Sequence, residues 1–169
     1  MSEQIQIIKS EGTTLEFTRR FNAPRDLVWL AYSDEEHLKR WWGPKGWTTD
    51  PCTVDFRPGG VWHYCMKGDG PNGEAMESWG KAVYQEIVAP ERLVYLDAFS
   101  DADANSFPPE MLIRLDFEAD GAATLLRSTG TFATEADLQT VMAMGVIEGV
   151  GQTMDRLDDY LPHLMAAAR

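Results

Sequence analysis

The sequence is poor in the residues that staple, ligate or cleave. Its 169 residues include two cysteines and three histidines. Two cysteines cannot build a disulfide scaffold, so the expectation is a cytoplasmic protein with reduced thiols. Basic residues are scarce as well: 15 Lys+Arg stand against 27 Asp+Glu, a net charge of −12. Phosphate backbones are bound by clustered Lys and Arg. Nucleic acid and anionic membrane are therefore poor partners, and more so for residues 101–169, which carry 12 acids and 4 bases. No apolar run approaches the roughly 20 residues of a membrane span. The opening MSEQIQIIKSEG lacks the charged-then-apolar order of a secretory signal. No G-x-S-x-G nucleophile elbow and no H-E-x-x-H zinc helix occurs.

What is present is a globular composition, 44% hydrophobic and 25% charged. The length fits one domain, residues 1–169. All six tryptophans fall between Trp29 and Trp79.

Periodicity orders the chain. Leu15, Phe17, Arg19 and Phe21 alternate as one face of a strand. Asn22-Ala23-Pro24 opens a short helix with Leu27, Val28 and Ala31 as its apolar stripe. Ser33 and Glu36 read as the capping box of a second helix, stopped by Gly43-Pro44. Six strands follow: Thr49 to Phe56, Val61 to Met66, Trp79 to Val88, Arg92 to Phe99, Met111 to Phe117, and Ala122 to Thr131. Residues 100–109 read as loop. Met111, Ile113, Leu115 and Phe117 mark a buried strand face, and Asp120-Gly121 a hairpin. Finally, Thr134 caps one long helix, in which Met142, Val146, Val150, Met154, Leu157, Leu161 and Leu164 recur at helical spacing. The order is β-α-α, a six-stranded antiparallel meander and a long helix, an α+β fold. The apolar face of the sheet must be covered, and only the last helix is long enough.

Three features carry candidate chemistry. Gly145, Gly149 and Gly151 interrupt the last helix, each at about 1 kcal/mol relative to Ala; they serve either close packing on the sheet or room for a ligand. In the hairpin around Arg57–Gly60, a register pairing Phe56 with Val61 places Trp62, Tyr64 and Met66 on one face, core or cavity lining. The same register sets Asp50, Cys52, His63 and Cys65 on the other face, with Cys52 opposite Cys65. A facing pair is no tetrahedron, and the spacing matches no zinc motif, so neither metal nor cofactor is expected. Asp55, Glu86 and Glu148 are candidate acid–base groups if a cavity holds them, and otherwise surface charge or structural pairs.

Several blocks together carry a resemblance. Phe21-Asn22-Ala23-Pro24, Val28-Trp29-Leu30-Ala31-Tyr32, Asp34 and Trp41-Trp42-Gly43-Pro44-Lys45-Gly46-Trp47 come first. Asp55-Phe56-Arg57-Pro58-Gly59-Gly60-Val61-Trp62, Met66, Gly80, Glu86-Ile87-Val88 and Pro90-Glu91-Arg92-Leu93-Val94-Tyr95 follow. Glu148-Gly149 through Leu157 and Tyr160-Leu161 close the pattern. Over residues 14–164 the chain resembles stand-alone bacterial relatives of the C-terminal domain of the activator of heat-shock protein 90 ATPase, within the SRPBCC, or START-like, superfamily. The resemblance implies a helix-grip fold: a curved antiparallel sheet of six to seven strands around a long C-terminal helix, with an apolar cavity between. It implies no fixed catalytic set; members bind lipids, sterols, polyketides or other hydrophobic molecules, and some are cyclases or hydrolases. Fold alone does not give function.

The sequence-based expectation is therefore a small hydrophobic ligand held between sheet and last helix. Its lining would comprise Trp42, Trp62, Tyr64, Met66, Ile113, Leu115, Met142, Val146 and Gly149, with Asp55 or Arg57 at a polar end. An enzyme working in the cavity and a chaperone-regulating interaction protein tied to stress response are the alternatives. A chaperone partner, a homodimer and the facing of Trp79 and Tyr95 stay open.

Overall fold

The computed structural model describes residues 6–167, with the side chains of residues 6–11 left aside. Twelve elements follow one another among the described residues: β1 (Gln6–Glu11), β2 (Thr14–Phe21), α1 (Arg25–Ser33), α2 (Glu35–Trp41), β3 (Thr48–Val54), β4 (Val61–Asp69), β5 (Ala75–Val88), β6 (Arg92–Ser100), β7 (Ser106–Asp120), β8 (Ala123–Phe132), α3 (Glu135–Ala143) and α4 (Val146–Ala167). The strands form one antiparallel sheet in the order β1-β2-β8-β7-β6-β5-β4-β3. The meander from β3 to β8 and the long C-terminal helix match the order read from the sequence. The sheet has eight strands because β1 pairs on the outside of β2, a strand the sequence reading did not place.

The apolar alternation sets the inner face. Phe17 and Phe21 of β2 are buried beside Ile113, Leu115 and Phe117 of β7. Against them lie Met154, Leu157, Leu161 and Leu164 of α4, spaced by three or four residues and all nearly inaccessible. Each such side chain stabilises the fold by roughly 1.5–3 kcal/mol through its removal from water. Arg19 shares this inner face and is almost fully covered. Its guanidinium meets Asp155 at 2.8 Å and Asp158 at 3.5 Å, fastening α4 to β2.

Four local expectations are corrected. Ser33 is still helical, so it cannot cap α2; Asp34, in extended backbone, accepts from the Glu36 and His37 amides instead. The long last helix is broken. Thr134 caps α3 as expected, but the chain turns at Met144-Gly145, where Gly145 has φ +82°, a left-handed conformation that glycine adopts without steric penalty. Gly145 is thus a corner between α3 and α4, whereas Gly149 and Gly151 lie within α4. Residues 106–109 belong to β7, where the β6–β7 ladder shifts register between Asp97 and Phe99 and so accommodates Pro108-Pro109.

The fourth correction is the β3–β4 register. Asp55 N–H bonds the Val61 carbonyl, so the turn holds five residues rather than four. Cys52 faces Tyr64 and Val54 faces Trp62. A one-residue slip exchanges the faces of a strand. Cys52 therefore joins the inner face and leaves the proposed Asp50, Cys52, His63, Cys65 group. The ladder shifts again between Thr49 and Cys52, across Pro51, which has no N–H to donate. Both thiols are free, and burial pushes Cys52 up to about 11. Among the described residues, no three His, Cys, Asp or Glu side chains are grouped to hold a metal ion. No described helix is long and apolar enough to cross a membrane.

Candidate functional site

Between the sheet and the first turns of α4 lies a cavity of about 350 Å³. That is at the small end of the roughly 300–1,000 Å³ typical of small-molecule pockets. The cavity exists because α4 is fastened at one end only. Its later turns are held by the leucine stripe, by Arg19 and by Arg156. The Arg156 guanidinium donates to the carbonyls of Trp42, Gly43 and Pro44 at 3.1–3.2 Å, and to that of Arg40. Those carbonyls lie at the end of α2 and in the linker after it, where a cation is favoured; those of Trp42 and Pro44 also accept from the Thr49 hydroxyl and the Trp47 amide. The first turns of α4 carry Gly149 and Gly151. A Cβ built on either would meet nothing within 4 Å. Neither glycine is therefore required by close packing on the sheet, and Gly149, which lines the cavity, leaves space there.

The walls are mainly apolar. Tyr64 and Met66 come from β4, Tyr95 and Asp97 from β6, and Ile113 and Leu115 from β7. Tyr32 of α1 and Trp42 of the linker close one side, and Val146, Gly149 and Val150 form the roof. Phe99, Met144 and Gly145 are lining residues that are themselves exposed, which places the open side at the α3–α4 corner. A smaller cavity of about 140 Å³ shares Tyr64, Met66, Asp97 and Met111 with the first.

Aromatic packing fixes the deep wall. Trp42 meets Trp62 edge-on at 4.6 Å, and Trp62 lies 4.8 Å from Tyr64 and 5.8 Å from Tyr95. Edge-to-face contacts of this kind add roughly 0.5–1.5 kcal/mol beyond area burial. Tyr64 fits only because Gly80 faces it across β4–β5: a Cβ there would stand 2.4 Å from the phenol.

The expected lining residues divide. Trp42, Tyr64, Met66, Ile113, Leu115, Val146 and Gly149 line the cavity. Trp62 stands behind its aromatic wall and does not reach the space. Met142 packs instead with Leu15, Phe132, Leu138 and Val141 in a separate cluster under α3, because the break at Gly145 turns it away. Asp55 and Arg57 are on the exposed hairpin, paired with each other at 2.9 Å, and give the cavity no polar end. Glu86 is bound to Arg92 on the surface and Glu148 is exposed. Of the two aromatics left open, Tyr95 points inward. Trp79 points outward and stacks on His63 at 5.0 Å.

The polar end that the sequence reading missed is Asp97. It is the one acid or base among the described residues lining the cavity; the other titratable groups there are Tyr32, Tyr64 and Tyr95. The polar groups that favour its charge are the Ala98 amide and the Tyr64 hydroxyl, while Oδ1 is buried with no hydrogen-bond partner. Burial pushes the carboxyl up to about 7. Desolvation and the nearby carboxylate hold the Tyr64 and Tyr95 hydroxyls well above their ordinary range, so both are neutral. A signal for Asp97 existed: it alternates in phase with Leu93 and Tyr95. With the phase of this strand unset, an acid on the apolar face went unnoticed.

A sheet wrapped on a long C-terminal helix with a cavity between them defines a helix-grip protein. The family model described as activator of Hsp90 ATPase homolog 1-like protein matches residues 22–162, and the chain belongs to that family. Solved relatives agree. Protein Ms6760 from Mycobacterium smegmatis is 32% identical, covering 93% of this chain and 96% of its own, with a TM-score of 0.80. A protein from Staphylococcus epidermidis is 32% identical, covering 94% of each chain, with a TM-score of 0.77. A protein from Arthrobacter aurescens is 26% identical, covering 94% of this chain and 91% of its own, with a TM-score of 0.81. A search of curated proteins returns no match.

Proposed function

We propose that this protein binds a small hydrophobic molecule in the cavity between the sheet and α4. The observation that carries the reading is the unfilled, largely apolar space beneath Gly149, walled by residues from both layers. In a core packed for stability alone, side chains would fill such a space, because protein interiors approach the density of organic crystals. Proteins of this fold commonly bind hydrophobic ligands, which agrees with the reading. N-phenyl-α-naphthylamine, a neutral dye that brightens in apolar surroundings, tests it. Saturable one-to-one enhancement is expected for the wild type and not for Gly149→Phe, whose ring would occupy the space while the far-ultraviolet circular dichroism stays the same. No enhancement with the wild type, or equal enhancement with both, would overturn the reading.

A second reading, acid–base catalysis on the bound molecule, is favoured by one observation: a lone carboxylate with a near-neutral pKa in an apolar cavity. It moves the catalytic candidate from Asp55, Glu86 and Glu148 to Asp97. Its test is turnover of a molecule first identified by binding, with loss of turnover but retained binding in Asp97→Asn.

A further inference from the structure

The cavity asks for more than an apolar occupant. Its lining brings one carboxylate, three neutral tyrosines and no cation. Asp97 stands where the β6–β7 ladder shifts register, an irregularity that re-aims a side chain and recurs beside functional sites. It also stands on the wall common to the two cavities. Its Oδ1 is shielded from solvent and receives no hydrogen bond. Buried polar atoms in folded proteins are nearly always paired, and each one left over calls for a partner.

We infer that Asp97 anchors the ligand, and that the ligand is an apolar molecule bearing a hydrogen-bond donor (a hydroxyl, amide N–H or amine) at the end that meets β6. This rests on the cavity being a binding site. The geometry sets the donor requirement. Oδ1 is an acceptor with nothing to accept from, although the Tyr64 hydroxyl is among the groups that favour the charge of the same carboxylate. A ligand whose polar end is itself an anion, such as a fatty acid, would set two like charges together with no Lys, Arg or His in the lining to neutralise either. The body of the ligand meets Ile113, Leu115 and Val150, which offer only apolar contact.

A matched pair of probes tests this. N-phenyl-α-naphthylamine carries one N–H; α-benzylnaphthalene has the same shape with CH₂ in its place. Direct titration of the dye, and its displacement by the hydrocarbon, give both affinities. The hydrocarbon is the more hydrophobic, so without an anchor it would bind at least as tightly. At pH 8, where the Asp97 carboxyl is ionised, the wild type is expected to prefer the N–H probe by about tenfold or more, the value of one hydrogen bond to a charged acceptor. In Asp97→Leu that preference should disappear while the hydrocarbon still binds. Asp97→Asn, which keeps shape and one acceptor, should fall between and serves if the Leu variant does not fold. Equal wild-type affinities, or a preference unchanged in both variants, would overturn the inference and leave the cavity reading standing. Binding of neither probe to the wild type would overturn the inference and the cavity reading with it.

Discussion

Asp97 supplies a pH dependence of stability with a definite sign. Its carboxyl is displaced from the ordinary 3.8 to about 7 in the folded chain. Below about pH 4 both folded and unfolded chains hold the proton, and the contribution of the group is whole. Between pH 4 and 7 the folded chain keeps a proton that the unfolded chain releases, so stability falls as pH rises. Above pH 7 the loss is complete. At about 1.36 kcal/mol per pH unit, the span from 3.8 to 7 amounts to at most about 4 kcal/mol, of which roughly 2–3 kcal/mol falls between pH 5 and 8. Water entering the cavity reduces this. The titratable groups close to Asp97, Tyr64 of β4 and Tyr95 of its own strand, stay neutral throughout and do not mask it. Asp97→Asn removes the titration. The assay is urea unfolding of wild type and variant, followed by tryptophan fluorescence at pH 5 and pH 8. Other carboxylates cancel in the difference between the two proteins. The variant should gain about 2–3 kcal/mol relative to wild type on going from pH 5 to 8. A difference constant within about 0.5 kcal/mol would refute the reasoning, as would a carbon-13 titration placing the Asp97 carboxyl below pH 5.

The glycines and the buried arginine give further predictions. Gly149→Ala should stabilise the protein by about 0.8–1 kcal/mol in thermal unfolding, because it removes a helix-interior glycine and its Cβ meets nothing. Gly80→Ala should destabilise by about 1–3 kcal/mol, because its Cβ collides with Tyr64; urea midpoints of the two variants should move in opposite directions. At the corner, Gly145→Ala should cost about 1 kcal/mol by the same measurement, from its φ of +82° rather than from any clash. Arg19→Met should cost less than the double variant Asp155→Asn, Asp158→Asn. The double variant leaves a covered guanidinium without its counter-charges, a loss of about 3–5 kcal/mol.

The parts of the fold that follow from periodicity were legible in the sequence, and those that depend on one residue of phase were not. Leu15, Phe17, Arg19 and Phe21, and equally Met111 through Phe117, alternate strictly, and their faces are as expected. The leucines of α4 recur at helical spacing and lie on the sheet. Trp62, Tyr64 and Met66 share a face whatever the partner strand does. Cys52 changed faces because the turn after β3 holds five residues, and no local preference in Arg57-Pro58-Gly59-Gly60 decides between four and five. A helical repeat running from Met142 to Val146 hid the corner at Gly145, since a left-handed glycine and a helical one look alike in sequence. The candidate site was legible for its apolar wall. Its polar end was misplaced onto Asp55 and Arg57, which satisfy each other two residues apart, a pairing that local spacing alone allows. Asp97 required the phase of β6, which is set by Tyr95 facing Ile113 across the sheet, a contact invisible in a single strand.

An apolar, donor-bearing molecule held in the space under Gly149 would lie against the methyl groups that line it. Intermolecular nuclear Overhauser effects between N-phenyl-α-naphthylamine and methyl-labelled protein test it most directly. Contacts are predicted to the methyl groups of Ile113, Leu115, Val146 and Val150, all of which line the cavity. Contacts confined to the exposed Leu112 and Ile147, which do not line it, would contradict it.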